Sequence, residues 1–398
     1  MKLIYRQQYM DRLKKLIGTP DIKIITGMRR SGKSEILKAL KKEMMERNDK
    51  ANIIMIDYAD LKFDPLKKYK KLYQYVEERY HAGVDNILLI DEVQLCDQFE
   101  LAINSFHNSQ KYDIYITGSN AFLLSSDLAT LFTGRFIEIP IFPFSFKEYC
   151  QYFEIEGSML DLQQYLVNGG MAGSYVYTEN RDRMQYIEDI YRTSVKRDLV
   201  DKYGITEHAL LDTLTDYLMD NVSNLTTANN ISNTLKQNKM KTNHITIKNY
   251  LQYLCSAFLF YKVKRYDVRG KKYLETNDKY YLVDPSFRFA LLGTRNMDYG
   301  RMYENIVAIE LLRRGYAIYV GKLYEKEIDF VAFKNNEKLY IQVADHISNK
   351  ETWERELLPL ASVKDAYPKM IFANTGHAPY DIEGIKIMDL AYWLKHDQ

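Results

Sequence analysis

The fold of this 398-residue chain is decided by one stretch, Ile22-Lys23-Ile24-Ile25-Thr26-Gly27-Met28-Arg29-Arg30-Ser31-Gly32-Lys33-Ser34. From Gly27 to Ser34 it fits the phosphate-binding pattern G-x-x-x-x-G-K-[ST], and the residues before it form an apolar run of strand type. The glycines let backbone N–H groups and the positive end of a following helix point at an anion. The stretch therefore predicts a strand, a phosphate-binding loop and a helix, in that order.

Individual side chains of this loop have predicted roles. We expect Lys33 to reach the β- and γ-phosphates of ATP, and Ser34 to place its hydroxyl on Mg²⁺. ATP and Mg²⁺ are therefore the predicted cofactors. The full set of predicted nucleotide contacts is Gly27, Arg30, Ser31, Gly32, Lys33, Ser34 and Glu35.

A second motif is the apolar run Ile87-Leu88-Leu89-Ile90, which ends in two adjacent carboxylates, Asp91 and Glu92. At the end of a strand, Asp91 can hold the hydration shell of Mg²⁺, while Glu92 is placed to orient and deprotonate an attacking water. The intact acid pair predicts hydrolysis of the β–γ phosphoanhydride in addition to nucleotide binding.

The length, the charge, the apolar runs and the cysteines limit the classes of protein to which this chain can belong. The length predicts two or three domains, and the formal net charge of +2 favours no class of partner. The chain has no apolar run of membrane-spanning length and no signal-peptide pattern, which predicts a cytoplasmic protein without a membrane partner. Its cysteines, Cys96, Cys150 and Cys255, are widely spaced and odd in number, which argues against a zinc site or a disulfide framework.

Apolar strand-like runs alternate with helical stretches in the first part of the chain. This alternation predicts an α/β domain in which a parallel sheet has helices on both faces. Ligands of such sheets bind beyond the carboxyl ends of the strands, where both motifs lie. The predicted strands are Ile22 to Thr26, Ile53 to Ile56, Ile87 to Ile90, Ile114 to Thr117, and Phe136 to Ile139.

Two further candidates are associated with the last two strands. Asn120, in Thr117-Gly118-Ser119-Asn120, is predicted to sense the γ-phosphate or to position the water, and an ordinary capped turn is an equal alternative. Arg135 stands just before the last strand and is predicted to stabilise charge on the γ-phosphate, in its own subunit or in a neighbour. The alternative for Arg135 is a surface arginine.

These motifs carry a resemblance. In order, G-M-R-R-S-G-K-S, I-L-L-I-D-E-V-Q, I-T-G-S-N, T-G-R and F-P-F-S-F-K-E-Y resemble a prokaryotic family of AAA-type ATPases that is related to the STAND group and, more distantly, to origin-recognition initiators. The resemblance implies a strand order of 5-1-4-3-2, Asp91 and Glu92 as the Walker B pair, Ser119 or Asn120 as sensor, and Arg135 as arginine finger.

The same resemblance implies the domain organisation. The ATPase domain is expected at residues 1–155, followed by a small helical lid at 156–210, a winged helix at 211–290 and an α/β nuclease-like domain at 291–398. The lid of the family begins with a G-G-x-P element, which Gly169-Gly170-Met171-Ala172 matches except that alanine replaces proline. That departure puts rigid coupling through the lid in doubt.

A basic stretch supports the winged helix. Between Ser223 and Tyr273, ten Lys and Arg residues stand against the single acid Asp267, a difference of +9 that is typical of a nucleic-acid surface. Its pattern of helix, turn, helix and two strands predicts a recognition helix and a wing that contact double-stranded DNA, although winged helices also serve as protein-interaction modules. The predicted contacts are Lys239, Lys241, Thr246, Lys248, Arg269, Lys271 and Lys272.

The last part of the chain predicts helix, three strands, helix and strand. Glu304 and Asp329 match the first acids of the restriction-endonuclease-like fold, whereas Gln342 and Ala344 stand where an active nuclease carries an acid and a lysine. We therefore predict a degenerate nuclease site formed by Glu304, Asp329 and Gln342. We expect it to hold DNA, a partner protein or the ATPase itself without cleavage.

Two classes of function remain open. The first is an ATP-driven machine or switch that is associated with DNA, and the second is a nucleotide-regulated protein-interaction switch in defence or signalling that never needs DNA. An ATP-powered endonuclease is the third and weakest interpretation. A protein client or a homo-oligomer is compatible with each of them, since Arg135 can complete a neighbouring site.

Overall fold

The computed structural model describes residues 2–119, 134–294, 297–347 and 350–396. The chain divides into two compact units, one formed by Tyr5–Phe142 and the other by Met1–Ile4 together with Pro143–Gln398. Among the described residues no helix combines the length and the apolar character needed to cross a membrane.

The first unit is built on a five-stranded sheet. Its helices are α1 (Gln7–Lys15), α2 (Lys33–Arg47), α3 (Tyr69–Glu77) and α4 (Phe99–Ser109), with short 3₁₀ turns at Leu61–Leu66 and Val93–Leu95. Its strands are β1 (Ile22–Thr26), β2 (Asn52–Asp57), β3 (Asn86–Asp91), β4 (Asp113–Gly118) and β5 (Phe136–Pro140). All five predicted strands are confirmed to within a residue at each end.

The strand order of this sheet is β2-β3-β4-β1-β5, and every neighbouring pair is parallel. This is the order 5-1-4-3-2 that the resemblance implies. The central strands β1 and β3 are buried along their whole length because separate apolar clusters cover the two faces of the sheet. The carboxyl ends of β1, β3 and β4 therefore meet at one edge.

The second unit begins with helices. They are α5 (Phe146–Phe153), α6 (Met159–Asn168), α7 (Asn180–Val195), α8 (Asp201–Tyr203), α9 (His208–Asp220), α10 (Ala228–Gln237) and α11 (His244–Ser256), with a 3₁₀ turn at Ala172–Val176 and a π turn at Lys196–Val200. Later helices are α12 (Ser286–Leu292), α13 (Tyr299–Arg313), α14 (Lys350–Ala361) and α15 (Leu390–Lys395).

Its strands form a single sheet in the order β12-β13-β11-β10-β9-β8-β6-β7. The strands are β6 (Phe260–Asp267), β7 (Lys272–Leu282), β8 (Ala317–Leu323), β9 (Lys326–Lys334), β10 (Glu337–Val343), β11 (Lys369–Ala373), β12 (Tyr380–Ile382) and β13 (Ile385–Asp389). The elements predicted from residue 303 to residue 372 are all present, whereas β12, β13 and α15 were not predicted.

One sheet contains strands from both sides of the predicted domain boundary at residue 290. The hairpin β6–β7 was assigned to the winged helix, yet β6 pairs in parallel with β8, with Arg265 opposite Val320 and Asp267 opposite Lys322. The sheet therefore runs across the boundary. The reason is that β7 occupies one edge of β6, and residues 265–267 of β6 pair through the other edge with β8.

The first compact unit ends at Phe142, before the predicted boundary at residue 155. Helix α5 belongs to the second unit because its aromatic side chains pack against those of α6 and the following turn. Tyr149 lies 5.3 Å from Tyr165 and 5.8 Å from Tyr175 between ring centroids, and Phe146 lies 5.7 Å from Tyr165. The capping box of Ser145 and Glu148 starts the helix at this point.

Candidate nucleotide-binding site

The loop between β1 and α2 takes its shape from three residues with positive φ. Gly27 has φ +140°, and a Cβ at this position would lie 2.1 Å from the carbonyl oxygen of Ile141. Arg30 has φ +64°, and Gly32, at φ +100°, is the N-cap of α2. The loop consequently turns tightly around the amino end of α2, where unpaired N–H groups favour an anion.

Lys33 is buried in the first turn of α2. Its Nζ donates hydrogen bonds to the carbonyl oxygens of Gly27 and Met28, each at 2.9 Å. The ammonium group is thus held against the loop itself, at the position from which a lysine of this motif contacts phosphate.

The other predicted nucleotide contacts lie in the same turn. Ser31 is buried, Ser34 is half-buried and Arg30 is exposed. Glu35 is exposed and its carboxylate pairs with Lys38 at 2.9 Å, which is an ordinary surface ion pair along one helix.

Arg6 is a contact that no sequence pattern indicated. Its guanidinium donates to the carbonyl oxygen of Ser31 at 2.9 Å and to that of Phe142 at 3.0 Å, and it lies 4.5 Å from the ring centroid of Tyr9. This buried arginine therefore ties the loop to the chain that leaves β5. Neither a motif nor a fixed spacing marks it, because its partners are backbone carbonyls 25 and 136 residues away.

The acid pair is held by a threonine on the neighbouring strand. The hydroxyl of Thr117, at the end of β4, donates to Oδ1 of Asp91 and accepts a hydrogen bond from the N–H of Glu92 at 3.0 Å. Asp91 is buried, and within the described residues its carboxylate forms no ion pair. The sequence indicated that the segment from Thr117 to Asn120 is functional, but it did not predict that Thr117 contacts both Asp91 and Glu92.

Glu92 leaves the strand through a backbone conformation that is rare for a residue with a side chain, with φ +53°. Its Oε2 accepts a hydrogen bond from the amide of Gln94 at 2.5 Å, and the hydroxyl of Ser119 lies 3.4 Å from the same oxygen. Two polar groups thus orient the carboxylate. Asn120, the predicted sensor, lies outside the described residues, whereas the alternative sensor Ser119 contacts Glu92.

The donors at this edge fit a magnesium ion. Mg²⁺ prefers oxygen ligands and binds through one or two carboxylates together with substrate phosphates. The hydroxyl of Ser34 follows β1 and the carboxylate of Asp91 ends β3, so both oxygen donors lie at the same edge of the sheet.

Arg135 lies at the opposite end of the strands from the phosphate-binding loop, where β1 and β5 begin. Its backbone carbonyl accepts from the N–H of Ile22 at the start of β1, and its guanidinium donates to Oδ1 of Asn108 at 3.3 Å. Since β1 spans five residues at roughly 3.3 Å each, Arg135 and the phosphate-binding loop of one chain are separated by the length of the sheet. At this distance Arg135 does not contact the loop of its own chain, so the predicted action on a neighbour and the surface arginine are the two interpretations that remain.

A cleft of about 620 Å³ opens at this end of the strands and is separate from the nucleotide site. It is lined by residues at the amino ends of the strands, among them Asn86 and Asp113, and by His107 of α4. Lys23 of β1 pairs with Asp113 at 2.6 Å nearby, which compensates its buried charge.

The predicted DNA contacts lie in and after a three-helix group formed by α9, α10 and α11. Helices α10 and α11 are capped by Thr227 and Asn243, whose side chains accept hydrogen bonds from backbone N–H groups. Thr226 pairs with Asp278 of β7 and brings the group to the hairpin. Thr246 is half-buried, and exposed side chains are found at Lys239, Lys241, Lys248, Arg269, Lys271 and Lys272.

Some of the basic charge in this region is already paired. Lys262 of β6 forms an ion pair with Asp278 at 2.7 Å, and the guanidinium of Arg269 lies 5.1 Å from the ring centroid of Tyr324. The sum of +9 overstates the free positive charge, because the acids of β7 follow just beyond the counted stretch.

The three residues of the predicted nuclease site lie together. Gln342 accepts a hydrogen bond from the N–H of Asp329 at 3.2 Å, and the carboxylate of Asp329 accepts from the N–H of Val343 at 2.8 Å. An unpredicted residue, Lys279 of β7, joins them: its Nζ lies 2.8 Å from Glu304 and 3.9 Å from Asp329.

Burial and neighbouring opposite charges shift the pKa values of this cluster in opposite directions. Burial raises the pKa of Glu304 and of Asp329 above the ordinary range, and the Lys279 ammonium partly offsets the effect. Burial alone would lower the pKa of Lys279, but the carboxylates around it outweigh burial and raise that pKa. Lys279 therefore stays charged near neutral pH.

Comparison with known protein families gives two matches along the chain. Residues 19–150 match an AAA domain, and residues 159–298 match a domain of unknown function, DUF8612. An uncharacterized protein of Haemophilus influenzae is 37% identical over 403 residues, with 98% of each chain covered. An uncharacterized protein of Methanocaldococcus jannaschii is 27% identical over 386 residues, with 92% of this chain and 83% of the relative covered.

Solved structures show weaker likenesses. The Aeropyrum pernix ORC1 protein in complex with DNA has 12% identity and a TM-score of 0.30, with 79% of this chain and 94% of that chain covered. AMPPCP-bound DnaA from Aquifex aeolicus has 19% identity and a TM-score of 0.29, with 54% and 68% covered.

The matched AAA domain, the parallel sheet and the loop with its acid pair agree on the fold of a P-loop ATPase of AAA type. The chain is therefore an AAA-domain protein and belongs to the same family as its Haemophilus influenzae relative.

Proposed function

We propose that this chain is a Mg²⁺-dependent ATPase that acts in association with double-stranded DNA. The observation that carries the ATPase part is the arrangement at one edge of the sheet. Buried Lys33 contacts the phosphate-binding loop from the start of α2, and Thr117 at the end of β4 contacts both Asp91 and Glu92 at the end of β3.

In this proposal Lys33 exchanges its contacts with Gly27 and Met28 for contacts with the β- and γ-phosphates. Its charge then stabilises the negative charge that develops on the bridging oxygen as the terminal phosphoryl group leaves. Arg6 keeps the loop closed during this exchange, since it is bound to the carbonyl of Ser31 and needs no rearrangement.

Ser34 and Asp91 are the residues that would hold Mg²⁺. The ion, when bound, neutralises phosphate charge and aligns the β- and γ-phosphates. Thr117 restrains the carboxylate of Asp91 through its hydroxyl, so that this ligand is oriented in advance.

Glu92 is the proposed general base. It takes a proton from the attacking water, whose oxygen then bonds to the γ-phosphorus as the bond to the β–γ bridging oxygen breaks. Gln94 and Ser119 both contact Oε2, so they set the direction of the carboxylate. The left-handed backbone at Glu92 contributes by turning the side chain away from the line of β3.

For the DNA part, we assign helices α9 to α11 and the hairpin β6–β7 to a winged helix, and the rest of the C-terminal sheet to a nuclease-like fold without cleavage. Exposed lysines at the start of α11 and in the hairpin turn support this assignment. Such residues contact DNA phosphates and make affinity depend on salt.

A nucleotide-regulated protein-interaction switch is the second candidate. The observation that favours it is the engagement of basic side chains within the unit, where Lys262 pairs with Asp278 and Arg269 stacks on Tyr324. Because part of the positive charge of this surface is already engaged by groups of the same unit, the surface suits a protein partner as well as DNA.

The deciding experiment is the steady-state ATPase rate of the purified chain with and without double-stranded DNA, at several protein concentrations and moderate salt. We expect Lys33→Ala to abolish the rate and Lys38→Ala, a change of an exposed lysine on the same helix, to preserve it. DNA stimulation supports the DNA-associated ATPase, while a rate indifferent to DNA favours the switch.

The dependence of the ATPase rate on protein concentration tests whether the chain must form an oligomer to be active. Arg135 is remote from its own loop, so a catalytic role requires a second copy of the chain. A rate per chain that rises with concentration, and that Arg135→Ala makes independent of concentration, would support a homo-oligomer with shared sites.

A further inference from the structure

Three carboxylates of the second unit converge on one ammonium group. Nζ of Lys279 lies 2.8 Å from Oε1 of Glu304, 2.7 Å from Oε1 of Glu327 and 3.9 Å from Oδ1 of Asp329. The Lys279 side chain is 3% exposed. The hydroxyl of Tyr281 donates a further hydrogen bond to Oε1 of Glu304 at 2.7 Å.

The acids come from different parts of the fold. Glu304 is on α13, Glu327 and Asp329 are on β9, and Lys279 enters from β7, which pairs only with β6 within the described sheet. A buried ammonium among several acids needs such compensation, because an uncompensated charge in the interior is strongly unfavourable.

The restriction-endonuclease-like fold implies a Mg²⁺ ion held by Glu304, Asp329 and Gln342, but these residues do not fit one here. The point on which the carboxylates converge is filled by Lys279, and Oε1 of Gln342 accepts from the backbone of Asp329. In the described part of the chain, no group of three or more His, Cys, Asp or Glu side chains is placed to hold a metal ion, so these acids would have to move into the space left by Lys279 before they could bind one.

We propose that the ammonium group of Lys279 takes the place of a divalent metal ion among Glu304, Glu327 and Asp329. The site is then always occupied by a cation, and we call this set of ion pairs the Lys279 latch. The acids then serve to fix β7 against α13 and β9. The site is a latent metal site, which becomes available only when the ammonium group is removed.

The latch lies next to a second connection. Successive side chains of a strand point to opposite faces, so Asp278 and Lys279 reach different neighbours. The backbone of Asp278 pairs with that of Thr226, at 2.9 and 3.0 Å, just before the N-cap of α10. Two adjacent residues of β7 thereby join the three-helix group to the C-terminal sheet, and loss of Lys279 would loosen that joint.

The test compares thermal unfolding of native chain and Lys279→Ala, without nucleotide, in chelator and in Mn²⁺. We expect a lower midpoint for Lys279→Ala in chelator, because three acids lose their cation. Mn²⁺ should raise the midpoint of the variant by several degrees, since a ligand that binds only the folded state stabilises it. Any rise in the midpoint of the native chain should be smaller, because its remaining predicted metal ligands are Asp91 and Ser34.

Two further variants isolate the site. Two variants should respond to Mn²⁺ no more than the native chain does: Lys279→Ala combined with Asp329→Asn, and Lys279→Arg, which keeps a cation. A folded Lys279→Ala chain whose midpoint is indifferent to Mn²⁺ would overturn the proposal.

Should Lys279→Ala not fold, calorimetric titration of Mn²⁺ into the native chain and into Asp329→Asn decides the question. Equal binding by the two chains supports a filled site and attributes any signal to Asp91 and Ser34. Binding that Asp329→Asn removes would show that the native site accepts a metal, and the proposal would be wrong.

Discussion

The carboxylate of Asp284 accepts a hydrogen bond at 2.7 Å from the backbone N–H of Gly170, which lies 114 residues earlier in the chain. Its other oxygen, Oδ1, accepts from the N–H and the hydroxyl of Ser286. A Cβ on Gly169 would lie 2.0 Å from Oδ1 of Asp284. Gly169 and Gly170, which resemble the start of a lid, therefore pack closely around the buried carboxylate of Asp284 in the same unit.

Gly170→Ala should destabilise the second unit. Its Cβ would lie 2.3 Å from the carbonyl oxygen of Phe144, a backbone atom that cannot move aside. We expect a loss of about 3 kcal/mol in the free energy of unfolding, at the upper end of the usual cost of overpacking. Chemical denaturation measures it.

Gly300→Ala is the matched control, because its Cβ would contact only a side-chain oxygen of Asp298 at 3.3 Å in the first turn of α13. Equal denaturation midpoints for the two variants would show that the close approach at Gly170 has no energetic consequence.

Glu92→Gln should separate binding from hydrolysis. The amide keeps the shape of the side chain but cannot accept a proton from water, so we expect kcat to fall about 10²- to 10⁴-fold while ATP affinity stays close to native. Single-turnover hydrolysis and equilibrium nucleotide binding measure the two effects. Glu46→Gln, at an exposed position of α2 outside the predicted nucleotide contacts, is the control, and a native rate for Glu92→Gln would remove Glu92 as the base.

Replacement of Lys271 and Lys272 by alanine should weaken DNA binding for all sequences alike. If both side chains contact phosphates, the slope of log affinity against log salt should become shallower by roughly 2. Binding at several salt concentrations measures the slope. The control pair is Lys70 and Lys71, which are adjacent and exposed on α3. An unchanged slope in the Lys271/Lys272 variant would remove the hairpin turn from the interface.

Asp365 should make stability depend on acid pH. Burial alone would raise its pKa, but the Tyr340 hydroxyl at 2.6 Å and the Lys338 ammonium at 3.0 Å outweigh burial and lower the pKa. Since the pKa is lower in the folded state, the carboxylate stabilises the fold above its unfolded pKa of about 4, and this contribution is lost as the pH falls through the folded value.

Asp365→Asn should therefore reduce stability at pH 7 and differ little from the native chain at pH 2. Urea unfolding at both pH values provides the comparison, with Asp49→Asn, at an exposed position, as the control. A destabilisation of equal size at both pH values would mean that packing, and not the charge, is responsible.

The cysteines should react slowly with iodoacetamide in the folded chain. Burial raises the pKa of the Cys150 thiol to about 12 and also raises that of Cys96, and only the thiolate is a nucleophile. Burial raises the pKa of the Cys255 thiol to about 12 as well, so we expect none of the three cysteines to be alkylated at pH 8 until denaturant is added. Mass spectrometry counts the labels, and rapid native labelling of Cys150 would contradict its burial.

Local patterns in the sequence determined the first unit. Each strand is an apolar run, and the loop and acid pair are contiguous motifs whose chemistry follows from residue type. The strand Ile22–Thr26 was placed without error for this reason. Similar patterns located α13 and β8 to β11, because helix and strand periodicities are also local.

Only the tertiary structure decided which distant groups share a site. Arg6 at the loop, Gln94 on Glu92 and Lys279 among the acids come from segments that no spacing rule connects, and their partners become neighbours through the order of strands in the two sheets. The same holds for the junction of β6 with β8. A side chain's burial and its charge partners depend on what packs beside it, which is a property of the folded chain and not of the local sequence.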